Sequence, residues 1–566
     1  MRLLPAFTAA LVVATTNATS LRDVCTTSYA QTALPADGTL LGTSVDTSSV
    51  AVTANYNVYG HIGRNDTVAL TYWMPAPTDF QNRFLTTGGE AYNINEGTSS
   101  SGSLPGGVMY GAVSGLTDGG FNGQSFDDVF LIANGTIDWQ NTFMMGYQGI
   151  YEMMILGREF TKNFYDTADK VYTYYQSCSE GGREGWSQAQ RYGAEYDGII
   201  VGAPAFRFAQ QQINHLTSNV VEKTVGYYPP PCELELIVNA TINACDPLDG
   251  KTDGVIARSD LCKLNFNISS LIGAPYYCAA SSSGGGIGLG FSKRQMGGGL
   301  TTPAQNGTVT ELGVKVAQTI LDGLKDSQGR QAYLSYQPGA DFDDAETKYD
   351  STSDTWGLSI DGNGGEFVSK FIELLDISSI TTLDNVTYDT LRDWMYTGWT
   401  RYQDSLQVNN PDLTEIALGG GKIIHFHGES DPSVPTASSV HYRESVRQIM
   451  YPGMSLNESS EALNEFYRLY LVPGAAHCGV NREQPNGPFP QTNLAAMIDW
   501  VENGVEPVLL DATVLSGDNK GQTGKLCSWP LRPLWTNNAT KMDCVFDQAS
   551  YDTWVYNFTA YALPLY

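Results

Sequence analysis

The chain is 566 residues long and carries 32 basic against 60 acidic residues, a formal net charge of -28 at pH 7. This acidic balance argues against nucleic acid or an anionic membrane as a partner. With 42% hydrophobic residues the chain can bury a large core, and its length allows two or more folding units.

The N-terminus has the pattern of a secretory signal, because Arg2 precedes the apolar run from Leu3 to Ala14 and small residues follow. We therefore expect residues 1–18 to be a signal peptide, and no later apolar run is long enough to predict a membrane span. Nine cysteines in an oxidising compartment should mostly pair, leaving one over. A secreted, extracellular glycoprotein is further favoured by sequons at Asn65, Asn134, Asn239, Asn267, Asn306, Asn385, Asn457, Asn538 and Asn557.

The first part of the chain alternates predicted strands and helices. The strands are predicted over 67–74, 83–87, 171–176 and 198–204, and the helices over 138–170 and 182–192. Apolar strands separated by helices predict an α/β fold with a doubly wound, mostly parallel sheet.

The alternation stops between about residues 205 and 392, which therefore predict an inserted second domain. It contains a proline run, an acidic segment bounded by cysteines and the Gly/Ser-rich run 281–300. Strands over 421–427 and 465–472 and a helix over 491–503 then restore the earlier pattern. We expect the catalytic domain to consist of residues 19–204 and 393–566.

A serine lies at the turn between the predicted strand 171–176 and the helix after it. The local sequence is Ser177-x-Ser179-x-Gly181. Small residues two positions before and after a nucleophile allow a tight turn that lifts its hydroxyl clear of the sheet. The glycine selects Ser179, because Ser177 would be flanked by Tyr175 and Ser179. An ordinary Gly/Ser turn after a strand is the alternative.

Two further residues complete a pattern typical of acyl transfer. Asp431 follows the strand 421–427 in Gly-Glu-Ser-Asp-Pro, and His477 follows the strand 465–472 in Gly-Ala-Ala-His-Cys. The order Ser179, Asp431, His477 is that of α/β-hydrolases. We expect His477 to act as general base and Asp431 to orient its imidazole and stabilise the imidazolium. For each residue alone, a loop aspartate or a surface histidine is the alternative.

Cysteines adjoin both the predicted nucleophile and the predicted base. Cys178 precedes Ser179, and Cys478 follows His477. Because a disulfide requires Cα atoms within about 7 Å, a Cys178–Cys478 bond would hold the serine and the histidine together. Pairing of each cysteine elsewhere is the alternative.

An oxyanion hole needs two N–H donors aimed at the developing negative charge. The amide of Glu180, the first after the nucleophile, is one expected donor, and its side chain is expected to be structural. The glycine turn Gly88-Gly89 follows an early strand, and Gly89 is the candidate for the second donor.

A second signal is an acidic, glycine-containing segment bounded by Cys245 and Cys262. Its spacing departs from the EF-hand loop but suits an all-oxygen calcium cage, which we expect to be structural because it lies far in sequence from the triad. The alternative is an acidic turn without an ion. The predicted ligands are the carboxylates of Asp246, Asp249 and Asp253 and the backbone carbonyls of Lys251 and Val255.

Two other features give weaker signals. His425 and His427 alternate on one predicted strand, and without further ligands nearby we interpret them as ordinary strand histidines rather than half a metal site. Lys293-Arg294 lies within the Gly-rich run, so we expect cleavage after Arg294. The glycine runs lack the Lys-Ser/Thr of a phosphate loop, and we expect no nucleotide cofactor.

These motifs resemble the fungal tannase and feruloyl esterase family. The likeness is carried by Cys178-Ser179-Glu-Gly-Gly-Arg183, Gly428-Glu-Ser-Asp431-Pro and His477-Cys478. That family links its Cys-Ser and His-Cys pairs by a disulfide beside the triad. The likeness runs along most of the chain and looks closest to the fungal tannases, extending to Tyr227–Glu233, the Cys245–Cys262 segment, Trp394–Gln403 and the dibasic site.

The resemblance implies an α/β-hydrolase core and a lid domain, residues 205–392, that covers the active site and carries a structural calcium. It also implies hydrolysis of galloyl esters and depsides of tannins, with release of gallic acid from an acyl-Ser179 intermediate. The family usually places a cysteine at about residues 55–65, which is missing here, so Cys25 is the expected unpaired ninth. The implied disulfides are Cys178–Cys478, Cys245–Cys262, Cys527–Cys544 and Cys232–Cys278.

Three alternatives remain open at this stage. A feruloyl esterase with the same triad and a pocket for methoxyphenols would release hydroxycinnamic acids from plant cell-wall esters. A non-catalytic binding module is disfavoured by the intact triad. A carbohydrate hydrolase with paired carboxylates is disfavoured because no acidic pair stands out from the acidic background.

Overall fold

The computed structural model describes residues 21–53, 57–63, 67–94, 104–280, 302–564 and 566. The predicted signal peptide 1–18, the run 281–300 with Arg294, and Asn65 lie outside the described residues. Within the described ranges, no helix combines the length and the apolar character needed to cross a bilayer.

A nine-stranded sheet forms the centre of the described chain. Two hairpin strands at one edge and the strand beside them pair antiparallel, and the six strands from Ala112–Thr117 onward pair parallel. The predicted α/β-hydrolase fold with a mostly parallel sheet is therefore confirmed. In spatial order the strands are Ser44–Thr53, Asn57–Gly63, Thr67–Trp73, Ala112–Thr117, Arg83–Thr87, Tyr172–Cys178, Gly198–Gly202, Lys422–Gly428 and Tyr467–Val472.

Helices cover both faces of this sheet. Two consecutive residues of one strand, Tyr174 and Tyr175, belong to different buried apolar clusters. Tyr175 lies in the cluster that includes Met153, and Tyr174 lies in the one that includes Met497. This alternation is the period-two pattern of a strand buried on both sides. The helices packed nearest the sheet are Gly149–Tyr165, Glu180–Arg191, Thr436–Met450, Leu456–Asn464 and Asn493–Asn503.

Residues 203–421 connect Gly198–Gly202 to Lys422–Gly428, two strands that are neighbours in the sheet. This insertion has an apolar cluster of its own. Its helix Tyr388–Tyr402 is continuous and packs against Phe208–Asn214, so the boundary predicted after residue 392 falls inside a helix. The other longer helices of the insertion are Thr217–Val225, Pro231–Cys245, Ser259–Asn265 and Glu311–Leu321.

Shorter elements complete the described chain. Small antiparallel pairs or triplets of strands are Leu131–Ala133 with Thr136–Ile137, Pro275–Cys278 with Gln305–Thr308, Thr347–Asp350 with Thr355–Leu358, Pro488–Phe489 with Leu509–Val514 and Thr523–Cys527, and Arg532–Thr536 with Lys541–Val545. The short helices are Leu21–Val24, Thr27–Thr32, Leu104–Met109, Phe126–Val129, Trp139–Phe143, Gly362–Phe367, Thr414–Leu418 and Gln548–Asp552, with π-helical turns at Met144–Gln148 and Val368–Ile372.

Four disulfide bonds cross-link the chain, and Cys25 is the free cysteine. The bond with the largest sequence separation joins residues 300 positions apart. The bonded pairs are Cys178–Cys478, Cys232–Cys278, Cys245–Cys262 and Cys527–Cys544.

Candidate active site

Ser179 lies on a sharp turn between the strand Tyr172–Cys178 and the helix Glu180–Arg191. Its φ of 64° lies in the left-handed region that a residue with a side chain rarely adopts. The neighbouring strand Gly198–Gly202 holds Ser179 there, because the N–H of Ser179 donates to Gly202 O at 3.0 Å. Gly181 permits the turn, since a Cβ at that position would stand 2.0 Å from Ser177 Oγ. The backbone thus stores strain at the predicted nucleophile.

The structure brings Ser179, His477 and Asp431 into one hydrogen-bonded line. His477 Nε2 lies 2.8 Å from Ser179 Oγ, and His477 Nδ1 lies 2.8 Å from Asp431 Oδ2. The other carboxylate oxygen, Oδ1, accepts the N–H groups of Ser433 at 2.8 Å and Val434 at 2.9 Å. The predicted nucleophile, base and orienting acid therefore have the distances that acyl transfer requires.

The electrostatics of Asp431 suit the role of an orienting anion. Burial alone would raise the pKa of this fully enclosed carboxyl, but the charge of His477 and hydrogen bonds from His427 and His477 hold it well below its usual range. Asp431 consequently stays ionised over the working range of an enzyme.

The disulfide between Cys178 and Cys478 joins the neighbours of the nucleophile and of the base. Its Cα atoms are 6.1 Å apart. One covalent bond thus limits how far Ser179 and His477 can separate, even though they lie on different strands of the sheet.

The prediction that Gly89 supplies the second oxyanion donor is wrong. The amide of Gly89 donates to the buried carboxylate oxygen Glu184 Oε2 at 2.8 Å, so it is not aimed at a substrate. Its carbonyl in turn accepts the N–H of Gly181 at 3.1 Å. The glycine turn therefore ties the nucleophile helix to the loop after Arg83–Thr87. The sequence contains no local signal for the contact with Glu184, which is 95 residues away.

The side chain of Glu180 is turned away from the triad and into a buried ion pair. Arg183 Nε donates to Glu180 Oε1 at 2.6 Å, and its other nitrogens donate to the carbonyls of Gly146 at 2.8 Å and Met145 at 2.7 Å. Those carbonyls belong to the π-helical turn Met144–Gln148, which interrupts the predicted helix. Burial raises the pKa of Glu180 to about 7, although Arg183 opposes that rise.

His427 is a residue of the site that the sequence-based prediction assigned to an ordinary strand position. It is fully buried, and its Nε2 lies 3.1 Å from Asp431 Oδ2. The signal that could have identified it is the spacing His427-Gly-x-x-Asp431, which places the imidazole beside the first turn after its own strand. His425, by contrast, bonds to the hydroxyl of Tyr467 through Nδ1, at 2.9 Å.

The acidic turn between Cys245 and Cys262 contains Asp246, Asp249 and Asp253, but within the described residues their ligand oxygens do not meet as one chelating group. Burial, and then the charges of Asp253 and Asp246, raise the pKa of Asp249 to about 7. Lys251 Nζ lies 2.7 Å from Asp253 Oδ2, while Asp246 accepts backbone N–H groups of the same turn at 2.9 and 3.0 Å. All three side chains offer the oxygen donors that calcium prefers, and the ammonium of Lys251 and backbone N–H groups occupy several of those oxygens here.

Two groups of chelating side chains do meet within the described residues, and both lie outside that turn. One consists of His215, Asp344 and Asp361, in which His215 Nδ1 lies 2.7 Å from Asp344 Oδ1. Burial would lower the pKa of His215, but Asp344 outweighs it and raises this pKa to about 9. The other consists of Glu235 and the disulfide Cys232–Cys278, whose sulfurs are already bonded to each other.

The fold and the Ser–His–Asp arrangement place the protein in the α/β-hydrolase class. The family described as "Tannase and feruloyl esterase" matches residues 55–550. The chain belongs to this family of carboxylic ester hydrolases.

Individual relatives agree with that assignment. The chain is 52% identical to the tannase of Aspergillus oryzae, covering 98% of each chain, and 28% identical to a probable feruloyl esterase of Arthroderma benhamiae, covering 90% of this chain and 87% of that one. The structure of a tannin acyl hydrolase from Aspergillus niger superposes with a TM-score of 0.91 at 52% identity, over 97% of this chain and 100% of that chain. Feruloyl esterase B from Aspergillus oryzae shares the fold, with a TM-score of 0.65 at 21% identity, over 89% and 97%.

Proposed function

We propose that this protein is a secreted serine esterase that hydrolyses galloyl ester and depside bonds of tannins and releases gallic acid. The observation that carries the proposal is the hydrogen-bonded line Ser179–His477–Asp431 in a chain 52% identical, over 98% of its length, to a tannase. The feruloyl esterase relative shares only 28% identity, so hydroxycinnamoyl ester hydrolysis is the second candidate.

The mechanism follows from the hydrogen bonds. His477 Nε2 removes the proton from Ser179 Oγ as that oxygen attacks the galloyl carbonyl carbon, and a tetrahedral oxyanion forms. His477 then returns the proton to the departing alcohol or phenol, leaving galloyl-Ser179. A water molecule attacks the acyl carbon and gives its proton to His477. His477 then returns that proton to Ser179 Oγ as the bond between Oγ and the acyl carbon breaks, which releases gallic acid and restores the free serine.

Asp431 and Glu180 have different tasks in this cycle. Asp431 accepts the Nδ1–H of His477, which selects the tautomer with a free Nε2 and stabilises the imidazolium formed in each step. The amide of Glu180, the first of the helix, is the proposed oxyanion donor, since the first N–H groups of a helix have no partner within it.

We assign the insertion, predicted as residues 205–392, to a lid domain that contributes to the acyl pocket. A pocket built to hydrogen-bond the three gallate hydroxyls would leave its own polar groups unpaired against a methoxylated ring, a large penalty. The lid is also where we place a structural calcium, on Asp246, Asp249 and Asp253 with the carbonyls of Lys251 and Val255, and cleavage into two disulfide-linked chains after Arg294.

The test compares initial rates on methyl gallate and methyl ferulate for the wild type, Ser179→Ala and the matched control Ser177→Ala. We expect gallate to be preferred, Ser179→Ala to lose several orders of magnitude, and Ser177→Ala to stay active. A preference for methyl ferulate would show that the substrate assignment is wrong, while the assignment of the triad would stand. Activity that persists in Ser179→Ala would exclude the serine mechanism.

A further inference from the structure

The triad carboxylate is shared between two imidazoles. His427 Nε2 and His477 Nδ1 both approach the same oxygen, Asp431 Oδ2, at 3.1 and 2.8 Å. Since the side chains of His427 and Asp431 are both fully buried, no bulk water competes for that oxygen. His427 is therefore in direct contact with the acid of the triad without reaching Ser179.

The partners of His427 determine where its proton lies. Nε2 faces two acceptors, Asp431 Oδ2 and the carbonyl of Val434 at 3.0 Å, so this nitrogen carries a hydrogen. Nδ1 lies 2.6 Å from the hydroxyl of Ser439, which can donate to it. Ser439 thus fixes the tautomer of His427, in the way that Asp431 fixes the tautomer of His477.

The hydrogen bonds of His427 also close the turn that carries Asp431. The imidazole connects the carboxylate of Asp431 to the carbonyl of Val434, while the amides of Ser433 and Val434 hold the other carboxylate oxygen. The imidazole and the two amides all donate to the carboxylate. Asp431 therefore has little freedom to rotate away from His477.

We propose that His427 is a positioning residue of the triad: its Nε2–H holds Asp431 Oδ2 in line with His477 and withdraws part of the negative charge that His477 experiences. The inference rests on the proposed function only in requiring that Ser179, His477 and Asp431 act together. It does not depend on which acyl group is cleaved.

The proposal has a definite consequence for pH dependence. Without the N–H of His427, Oδ2 presents more of its charge to His477 and stabilises the imidazolium more strongly. The acid limb of the activity profile should then move to higher pH. Other titratable or charged groups around the pair are His425 on the same strand, Arg443 on the helix that carries Ser439, and His215 and Tyr336 of the insertion, which both respond to the charge of Asp431.

Two substitutions of similar polarity separate positioning from packing. In His427→Gln the amide nitrogen stands near the position of Nε2 and can still donate to Asp431. In His427→Asn the shorter side chain reaches only toward Ser439. His425→Gln is the matched control, because His425 is equally buried on the same strand and bonds to Tyr467 instead of the triad.

The experiment measures the rate at which a fluorophosphonate labels Ser179 between pH 5 and 9, with methyl gallate hydrolysis alongside. For His427→Asn we expect roughly 10- to 100-fold slower labelling and an acid midpoint about half a pH unit higher. His427→Gln and His425→Gln should keep the wild-type midpoint and label within a few-fold of the wild type. Ser439→Ala should slow labelling and shift the midpoint in the same direction, and it decides the question if His427→Asn does not fold.

Equal losses in His427→Asn and His427→Gln would overturn the proposal, as would an unchanged rate and midpoint in His427→Asn. If His427→Asn cannot be obtained folded, wild-type behaviour of Ser439→Ala overturns it. A wild-type enzyme that is labelled at Ser179 but does not hydrolyse methyl gallate would refute the proposed substrate, while the midpoint shift would still support the role of His427.

Discussion

Two acidic turns of this protein shift the pKa of a buried carboxyl in opposite directions. In the turn after Lys422–Gly428, Asp431 faces two imidazoles and two amides, and its pKa lies well below the ordinary value. In the cysteine-bounded turn, Asp249 faces other carboxylates, and its pKa rises to about 7. Burial raises the pKa of both carboxyls, so the difference between them comes from their partners. One turn is complete with the chain's own donors, and we propose that the other is completed by a cation.

The largest expected effect comes from breaking the first turn. Asp431→Asn keeps the shape of the side chain but removes its charge and allows the wrong tautomer of His477, so kcat should fall by about 10⁴-fold. Initial rates on methyl gallate measure the loss, with Asp412→Asn as a distant, exposed control. If kcat of Asp431→Asn fell by less than tenfold, the charge of Asp431 would not be needed for catalysis.

Removal of the bridge beside the first turn should have the next largest effect. In the chain-entropy description, opening Cys178–Cys478 by alanine substitution costs about 5–6 kcal/mol of unfolding free energy in the uncleaved chain, because the bond spans 300 residues. Opening Cys232–Cys278, which spans 46, should cost about 1–2 kcal/mol less and leave the site intact. Thermal unfolding and gallate hydrolysis are measured on both, with Cys25→Ser as the unbonded control. Equal activity in the two variants would contradict this assignment.

The second turn is tested by removing its proposed cation. At a calcium concentration of 100 times Kd, the ion should add about 2.7 kcal/mol to the free energy of unfolding, so a chelator should lower Tm. Asp249→Asn should abolish the difference between the chelated and the calcium-loaded protein. Metal analysis of the dialysed wild type provides an independent readout, and a Tm that does not respond to chelation would argue for a turn that functions without an ion.

The smallest predicted effect concerns Glu222, a third buried carboxyl, for which we propose no cation. Burial raises the pKa of Glu222 to about 8, with only a long hydrogen bond from Asn219 opposing it. Between the unfolded pKa of about 4.5 and the folded pKa of about 8, the unfolded chain ionises while folded Glu222 keeps its proton, so stability falls as pH rises. Glu222→Gln should therefore gain about 2 kcal/mol relative to the wild type between pH 5 and pH 6.5. Parallel stability curves for the two proteins would rule this out.

The sequence predicted those parts of the structure that depend on local pattern. Apolar runs predicted the parallel strands, and the strained turn around Ser179 follows from small residues that lie next to it in the chain. Asp431 and His477 could be recognised because each follows a strand directly, and parallel strands bring their carboxyl ends to one edge. The same reasoning predicted no register for the edge hairpin Ser44–Gly63, since residues 19–60 show no sustained alternation.

What was not predicted depends on partners that lie outside the strand or turn that carries the residue. Gly89 has the flexible turn that an oxyanion loop needs, but its amide is taken by Glu184, and only the folded helix brings that carboxylate near. His427 alternates with His425 on one strand, and nothing in the strand itself distinguishes them. The turn that follows brings Asp431 and Val434 back against one of the two.

The bond between Cys178 and Cys478 also governs the order in which the protein can be made. Three hundred residues must be synthesised after the first cysteine before its partner exists. Until then the turn that carries Ser179 can form, but the disulfide that holds His477 beside it cannot. A host that cannot oxidise thiols would therefore yield a chain with every catalytic side chain present and an untethered reaction centre, and the yield of active enzyme would measure the host's oxidative folding capacity.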